Sequence, residues 1–185
     1  MEDVIKVWTR QHKDVGRLLR QNGRHVVSSS EYISLDMPEH KDLIMICYDW
    51  LADNCPGREY KPADARSPVW VSLEKKTAYT EQKGCLLELD IPRERLVLLN
   101  IAKWSRILNY QYIPLDAADE KRHEELLAAY GISDARAVME RFYPQIRREV
   151  LDSWKRLFDP DVKLVNDLHY GLVWELRREW LVRED

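Results

Sequence analysis

The segment from Gly84 to Pro114, GCLLELDIPRERLVLLNIAKWSRILNYQYIP, decides the fold of this chain. Residues 85–91 are mainly apolar, and Leu87, Leu89 and Ile91 alternate with the acidic residues Glu88 and Asp90. This alternation is the two-residue period of a β-strand with one buried face. Pro92 cannot donate a hydrogen bond to a neighbouring strand, so we predict that this strand ends there. The segment 96–101 is short and largely apolar, which predicts a second strand that is buried on both faces.

A short helix follows the second strand. Trp104, Ile107 and Leu108 recur at helical spacing and share one face of it. We therefore expect Trp104 to be a buried structural anchor for the two strands before it.

The two-residue period of strands and the helical period also predict the positions of the other elements. Residues 4–9 and 68–73 alternate as strands do, and longer segments repeat their apolar residues at helical spacing. These predicted helices lie near residues 12–22, 39–53, 118–130 and 133–158. In the last of them we expect Val138, Met139 and Phe142 to point inward, and Pro144 to break or kink the helix.

The C-terminal segment, residues 162–183, fits two interpretations. Its apolar residues keep a helical period, yet Leu172, Trp174 and Leu176 also alternate with their neighbours. Gly171 is unfavourable inside a helix. We therefore favour a strand at residues 171–176, a turn, and a final strand at residues 180–183.

Together these elements predict an α+β fold with a mixed, mainly antiparallel sheet flanked by helices, because strands and helices neither segregate fully nor alternate regularly. At 185 residues the chain is expected to form one domain, residues 1–185. A helical segment, residues 117–158, would be inserted before the C-terminal strand.

Composition limits the classes of partner. Asp and Glu number 32 and Lys and Arg 29, for a net charge of −3, so no strong overall field attracts nucleic acid or anionic lipid. The chain has no apolar run of membrane-spanning length and no signal peptide at its start. Its three cysteines form no Cys-x-x-Cys pair, which favours reduced thiols. We expect a cytoplasmic protein that does not enter a membrane.

Metal and serine chemistry have little support in the sequence. The five histidines are scattered, and none is spaced from a cysteine or carboxylate as metal ligands are. There is also no phosphate-binding loop and no Gly-x-Ser-x-Gly segment. We therefore predict no metal site.

Two charged residues are candidates for function. Arg10 ends an apolar first strand beside Trp8, a position that often carries function, although a surface ion pair is an equal alternative. Glu175 lies between Trp174 and Leu176, which should take the core face of the strand. Glu175 would then face either solvent, which is the more common outcome, or a cleft on the other face.

Five segments, spread in order over nearly the whole chain, carry a resemblance to one family. They are Ile5–Gln11 (IKVWTRQ), Tyr48–Leu51 (YDWL), Pro68–Trp70 (PVW), Trp104–Asn109 (WSRILN) and Ser153–Asp159 (SWKRLFD). In these landmarks the chain resembles a bacterial family known as domain of unknown function 3841. The resemblance implies no particular activity.

A second resemblance does imply an activity. A first strand ending in Arg10, a helix, a mixed sheet and a late strand carrying Glu175 are similar to the layout of ADP-ribosyltransferases. The closest likeness is to the DNA-modifying toxin group, because Trp174-Glu175-Leu176 is followed by Trp180-Leu181-Val182. Trp174 stands where that group has a small residue, and we place no counterpart of its asparagine or substrate loop.

This resemblance implies a set of roles. Glu175 would be the catalytic glutamate, and Arg10 would act beside NAD, the substrate, with no metal. Trp8, Tyr48 and Trp70 would join Arg10 in binding the dinucleotide. ADP-ribose would pass to a macromolecule or small nucleophile, and the carboxylate would stabilise the developing positive charge.

Two alternatives belong to other classes of function. The chain could be a non-enzymatic protein-interaction module, which would present an exposed apolar patch and no cleft at Glu175. It could also bind nucleic acid through the arginines of its C-terminal helices, Arg136, Arg141, Arg147, Arg148 and Arg156. Acidic residues are interleaved with these arginines, which argues against a surface that follows phosphates.

Overall fold

The computed structural model describes residues 3–28, 41–78, 84–140, 142–164 and 167–185. The chain forms two compact units. The first unit joins Met1–Leu98 to His169–Asp185, and the second is Leu99–Leu168. The predicted helical segment 117–158 falls within the second unit. That the whole chain acts as one domain stays a prediction.

A six-stranded antiparallel sheet carries the first unit, and the predicted α+β class is confirmed. In chain order its strands are β1 (Val4–Gln11), β3 (Val69–Ser72), β4 (Cys85–Pro92), β5 (Val97–Asn100), β6 (His169–Val173) and β8 (Leu181–Glu184). Their order across the sheet is β5-β6-β3-β1-β4-β8, so the N-terminal strand is central. A separate two-stranded ribbon pairs β2 (Arg24–His25) with β7 (Leu176–Arg177). The described part of this unit also contains the α-helices α1 (Lys13–Asn22) and α2 (Lys41–Asn54) and several short 3-10 helices.

The pairing of β1 with β4 runs without a break from Val4 opposite Pro92 to Gln11 opposite Cys85. Side chains alternate along both strands, so Val7 and Leu89 share one face of the sheet and are fully buried there. Helix α1 adds Leu19 to the same apolar cluster. The strand predicted at residues 85–91 from its alternation is confirmed.

The C-terminal segment forms strands, as we favoured, and the alternative interpretation as a helix is wrong. The first of these strands, β6, ends at Val173 instead of residue 176, because Leu176 pairs with His25 in the ribbon. A 3-10 helix occupies residues 178–180 before β8. Gly171 lies within β6, where a Cβ atom would come within 2.6 Å of Leu96 and 2.7 Å of Val71.

The second unit is helical, with α3 (Ile101–Leu108), α4 (Ala117–Tyr130), α5 (Asp134–Met139), α6 (Pro144–Ser153) and a 3-10 helix at 154–158. Asn100 caps α3 by accepting hydrogen bonds from the Ala102 and Lys103 amides. Trp104 is buried, as predicted, and Trp154 is fully buried with its indole Nε1 donating to the Gln111 carbonyl at 3.0 Å.

The single helix predicted at residues 133–158 is wrong in one respect. Helix α5 ends at Met139, and α6 begins at Pro144, which occupies the first turn of the new helix instead of kinking a continuous one. Met139 and Phe142 are consequently exposed, Phe142 by 85%, and the prediction that they point inward is also wrong. Val138 is buried as expected.

Two further predictions bear on the helices. The first two residues of the helix predicted at 39–53 lie outside the described residues, and α2 begins at Lys41. Throughout the described part of the chain, each helix is too short or too polar to cross a bilayer.

Candidate functional site

One face of the sheet in the first unit carries a line of polar and aromatic side chains. Trp8 of β1 lies opposite Ser72 of β3, and Ser72 lies opposite Tyr170 of β6. Because antiparallel strands advance in opposite directions, the next row along this face brings Arg10 beside Trp70. The apolar cluster that contains Val7, Val71 and Leu89 takes the opposite face. On this face Trp8, Arg10, Trp70 and Tyr170 are partly exposed.

A cleft of about 450 Å³ lies over this face. Four aromatic residues line it, together with the guanidinium-bearing Arg10. They are Trp8, Tyr48, Trp70 and Tyr170. Among the described residues that line it there is no carboxylate and no second basic residue. Its volume is within the range of about 300–1,000 Å³ that small-molecule sites occupy.

A hydrogen bond fixes one wall of the cleft. Tyr48, which comes from α2, accepts a hydrogen bond at its phenol oxygen from the Trp70 indole Nε1 at 3.1 Å. Burial raises the pKa of Tyr48, so its phenol is neutral over the physiological range. The two rings are thereby held as fixed apolar surfaces.

A backbone carbonyl positions the Arg10 side chain. Its Nη1 donates to the Gly84 carbonyl oxygen at 3.2 Å. Gly84 approaches the Gln11 carbonyl so closely that a Cβ atom would not fit there. Further along the same strand, Gln11 Nε2 donates to Thr9 Oγ1 at 2.8 Å, and Thr9 Oγ1 donates to the Trp70 carbonyl at 2.7 Å.

Hydroxyl groups gather at the remaining part of the cleft. Ser72 Oγ and Thr77 Oγ1 contact each other, and each lies 2.9 Å from the Glu74 carbonyl oxygen. Ser72 Oγ also accepts a hydrogen bond from the Glu74 amide at 3.4 Å. The Tyr170 phenol donates to the Thr77 carbonyl at 3.4 Å. The cleft therefore has a cationic part at Arg10 and a hydroxyl-rich part at Ser72.

The residues predicted from the sequence fall into two groups. Trp8, Arg10, Tyr48 and Trp70, predicted to bind a dinucleotide, all line this one cleft. Glu175 does not line it. The structure thus brings the predicted binding residues together and places the predicted catalytic carboxylate apart from them.

Glu175 lies at the ribbon of β2 and β7. Its Oε1 accepts hydrogen bonds from Arg177 Nε at 2.7 Å and Nη2 at 2.6 Å, and its Oε2 lies 3.8 Å from Arg24 Nε. Arg24 and Arg177 are direct partners across the ribbon. Glu175 is only 5% exposed, and Trp174 and Leu176 are buried as well. The expectation that Glu175 faces solvent is therefore wrong, because two arginines compensate the buried charge.

A charged cluster in the second unit was not found from the sequence. His123 of α4 is buried, with Nε2 2.7 Å from Asp134 Oδ1 and Nδ1 3.0 Å from Glu149 Oε1. The Tyr112 ring stacks on the imidazole at a centroid distance of 3.9 Å. These residues belong to separate helices and loops, so no local spacing could have revealed their meeting.

The two carboxylates determine the charge of His123. Burial by itself lowers the pKa of His123, but the hydrogen bonds to Asp134 and Glu149 outweigh burial and raise the pKa above its ordinary value. Arg122 Nη2 donates to Glu149 at 2.7 Å and balances that carboxylate. The cluster is therefore a set of paired charges joining three helices.

The three cysteines are buried and form no disulfide. Burial raises the pKa of Cys55 to about 12, and Cys47 and Cys85 are also buried free thiols. Among the residues that the structure describes, no group of three His, Cys, Asp or Glu side chains could hold a metal ion.

Three of the five arginines proposed for nucleic-acid binding make contacts within the protein. Arg136 donates to Glu140, Arg147 to the Val138 carbonyl and Arg156 to Asp119. Arg141 lies outside the described residues. Nucleic acid as a partner stays a prediction.

The fold and the cleft define the class: an α+β protein with a small-molecule-sized cleft on one face of an antiparallel sheet. Residues 6–182 match the family described as a domain of unknown function (DUF3841), and the chain belongs to that family. The comparisons found no match among curated proteins and none among solved structures. They give no support to the likeness to ADP-ribosyltransferases.

Proposed function

We propose that the cleft of the first unit binds a small ligand in which a planar ring is joined to an acidic group. The observation that carries this proposal is the combination of Arg10 with four aromatic residues in one concavity. Nucleotides, including NAD, are ligands of this kind.

The lining residues suit both parts of such a ligand, the planar ring and the acidic group. Indole and phenol rings offer flat apolar surfaces on which a planar ring stacks, and the Tyr48–Trp70 hydrogen bond holds two of them in place. A guanidinium presents several N–H donors in one plane, which suits carboxylate and phosphate oxygens. Arg10 supplies such a guanidinium to the lining of the cleft.

Transfer of ADP-ribose from NAD is a narrower function, and we do not assign it to Glu175. Such a reaction needs a carboxylate against the reacting ribose, whereas Glu175 is held by Arg177 at 2.6 Å outside the described lining of the cleft. Binding of the ligand does not require Glu175. A variant of this residue therefore separates binding from transfer.

The proposal is tested by isothermal titration with NAD, adenosine monophosphate and uncharged adenosine. We expect the two anionic ligands to bind and adenosine to bind at least 10-fold more weakly. Arg10→Gln should remove this difference, whereas Arg17→Gln, a matched change in an exposed arginine of α1, should preserve it. Equal affinities for adenosine and adenosine monophosphate in the parent protein would contradict the proposal.

Labelled NAD serves to examine transfer in the same proteins. We expect Glu175→Gln to bind NAD as the parent does. Label transferred to an acceptor by the parent and lost in Glu175→Gln, with NAD affinity and melting temperature unchanged, would instead identify Glu175 as catalytic.

The alternative of a non-enzymatic protein-interaction module has one observation in its favour. Met139 and Phe142, at the end of α5 and before α6, expose large apolar side chains. If this is the function, Phe142→Ser should abolish co-purification of a partner that the parent retains. Arg10→Gln would leave that partner bound.

A further inference from the structure

The imidazole of His123 connects three helices of the second unit. His123 belongs to α4, and its Nε2 lies 2.7 Å from Oδ1 of Asp134 in α5. Its Nδ1 lies 3.0 Å from Oε1 of Glu149 in α6. The ring is buried, and Tyr112 stacks on one of its faces. Because only a protonated imidazole donates from both nitrogens, this ring joins all three helices only in that state.

The two carboxylates differ in what else holds them. Glu149 Oε1 also accepts a hydrogen bond from Arg122 Nη2 at 2.7 Å. Asp134 accepts from the Tyr112 backbone amide at 2.8 Å, and among the described residues His123 is its one cationic partner. A carboxylate that an arginine already neutralises attracts a proton less strongly. The nitrogen that loses its hydrogen first is therefore Nδ1, which faces Glu149.

The charges on the Glu149 side of the ring are balanced. Arg122 donates to Asp119 at 2.9 Å as well as to Glu149. Asp119 in turn accepts from Arg156 at 2.9 Å. Two guanidinium groups thus accompany the two carboxylates on this side.

Among the described residues, the Asp134 side carries an excess of negative charge. A cavity of about 360 Å³ borders both His123 and Asp134. Arg106 and Glu120, which also line it, pair with each other at 2.7 Å. Glu124 lines it too and is exposed, so it adds a further negative charge there. This charge favours a hydrogen on Nε2 over one on Nδ1.

Loss of the Nδ1 hydrogen affects α6 more than α5. A ring nitrogen without its hydrogen presents a lone pair to Glu149 Oε1, and two acceptors that face each other at 3.0 Å repel. Of the two described contacts between Glu149 and α4, only the Arg122 pair then remains. Arg122 is half-exposed, and an ion pair of this kind contributes little.

We propose that His123 is a pH-sensitive switch whose protonated ring holds both α5 and α6 to α4, and whose neutral ring keeps Asp134 through Nε2–H and releases Glu149. The released helix is the one that follows Phe142, so the switch controls how firmly this exposed apolar side chain is held. The inference is independent of the cleft in the first unit.

Nuclear magnetic resonance of the ¹⁵N-histidine-labelled protein from pH 6 to pH 9 reports the tautomer of His123. Its signals are identified by their loss in His123→Gln. We expect the neutral ring to carry its hydrogen on Nε2. A neutral ring with the hydrogen on Nδ1, or a ring that does not titrate in this range, would overturn the proposal.

Arg122→Gln tests why Nδ1 loses its hydrogen first. Without the guanidinium, Glu149 attracts the proton more strongly, so the midpoint of His123 should rise and the share of the Nδ1–H tautomer should grow. Lys121→Gln removes a positive charge from an exposed side chain of the same helix and is the matched control. Equal effects of the two changes would refute the specific role of Arg122.

Amide hydrogen exchange measures the release of α6. After correction for the intrinsic effect of pH, we expect residues 144–153 to exchange about 10-fold faster once His123 is neutral, because one charge-assisted hydrogen bond is lost. Residues 13–22 of α1 are the internal reference. In His123→Gln this pH dependence should be absent. Faster exchange in α5 with α6 unchanged would contradict the proposal.

Discussion

His123 is a buried residue whose charge affects its hydrogen bonds to two carboxylates. It is buried in the second unit with a carboxylate on each ring nitrogen, Asp134 on one side and Glu149 on the other. Tyr112 covers one face of the ring, and Arg122 pairs with Glu149. Only the protonated imidazole has two N–H donors, so only this form satisfies both carboxylates.

This geometry predicts a pH dependence of stability. The pKa of His123 is raised in the folded protein above its unfolded value of about 6.5, so its contribution is complete below about pH 6.5. It is lost as the pH rises through the folded pKa. We expect the free energy of unfolding to fall by about 1–3 kcal/mol over that rise.

Urea unfolding from pH 6 to pH 9 measures this change. His123→Gln should remove most of the fall, and His12→Gln, a change in an exposed histidine, should retain it. A parent protein whose stability increases over this range would contradict the assignment.

At the scale of single residues, the position of Arg10 and Trp8 on one sheet face follows from the sequence more directly than the charge pairs do. Arg10 and Trp8 are near neighbours in one strand, so their alternation already placed them on one face. The partners of Glu175 could not be predicted. Arg24 and Arg177 are far apart in the chain and meet only through the ribbon of β2 and β7.

At the scale of elements, Gly171 determines how closely β6 packs. A methyl group at this position would lie 2.6 Å from Leu96 Cδ1 and 2.7 Å from Val71 Cγ2. We expect Gly171→Ala to lower the free energy of unfolding by about 1–3 kcal/mol, the usual cost of overpacking.

A double variant checks the physical cause. Leu96→Ala removes the side chain that the new methyl group meets first, so the two changes should be less costly together than their sum. Strict additivity of the two costs in chemical denaturation would show that the contact with Leu96 is not responsible.

The helices of the second unit provide a contrasting pair of substitutions. Trp104 is buried in α3, and we expect Trp104→Ala to cost about 3–5 kcal/mol. Phe142, before α6, is exposed, and Phe142→Ser should change stability by no more than about 0.5 kcal/mol. Thermal melting of both variants tests this. Comparable losses from the two substitutions would show that Phe142 is packed.

The boundary between α5 and α6 shows the limit of periodicity as a guide. The apolar spacing continues past Pro144, so the sequence is compatible with one kinked helix or with two helices. A proline is equally suited to the first turn of a new helix and to a break in an old one. Only the extended backbone at Glu140 resolves the two cases.

At the scale of the whole molecule, the sheet depends on both ends of the chain. Strand β8 pairs with β4, and Asp185 exchanges two backbone hydrogen bonds with Leu86. We expect deletion of residues 181–185 to lower the melting temperature by several degrees, because one side of β4 loses its partner.

The measurement is a thermal melt followed by circular dichroism. Val182→Thr, which changes an exposed side chain and keeps the strand, is the control. An unchanged melting temperature after the deletion would show that β8 contributes little to the sheet.

The overall class was predictable because the strands alternate clearly and the helices repeat over several turns. The division into two units was not. Both units contain apolar residues throughout, and the boundary at Leu98 falls inside strand β5, where no change of composition marks it.

The pairing of β3 with β6 has a consequence for synthesis of the chain. Val69 cannot pair with Val173, its partner across the sheet, until the whole of the second unit has left the ribosome. At about 5–20 residues per second, this delay lasts roughly 5–20 s. During that time the helices of Leu99–Leu168 can form from local contacts, whereas β3 presents an unpaired edge. Nascent chains stalled before residue 169 should therefore be the form most prone to aggregate.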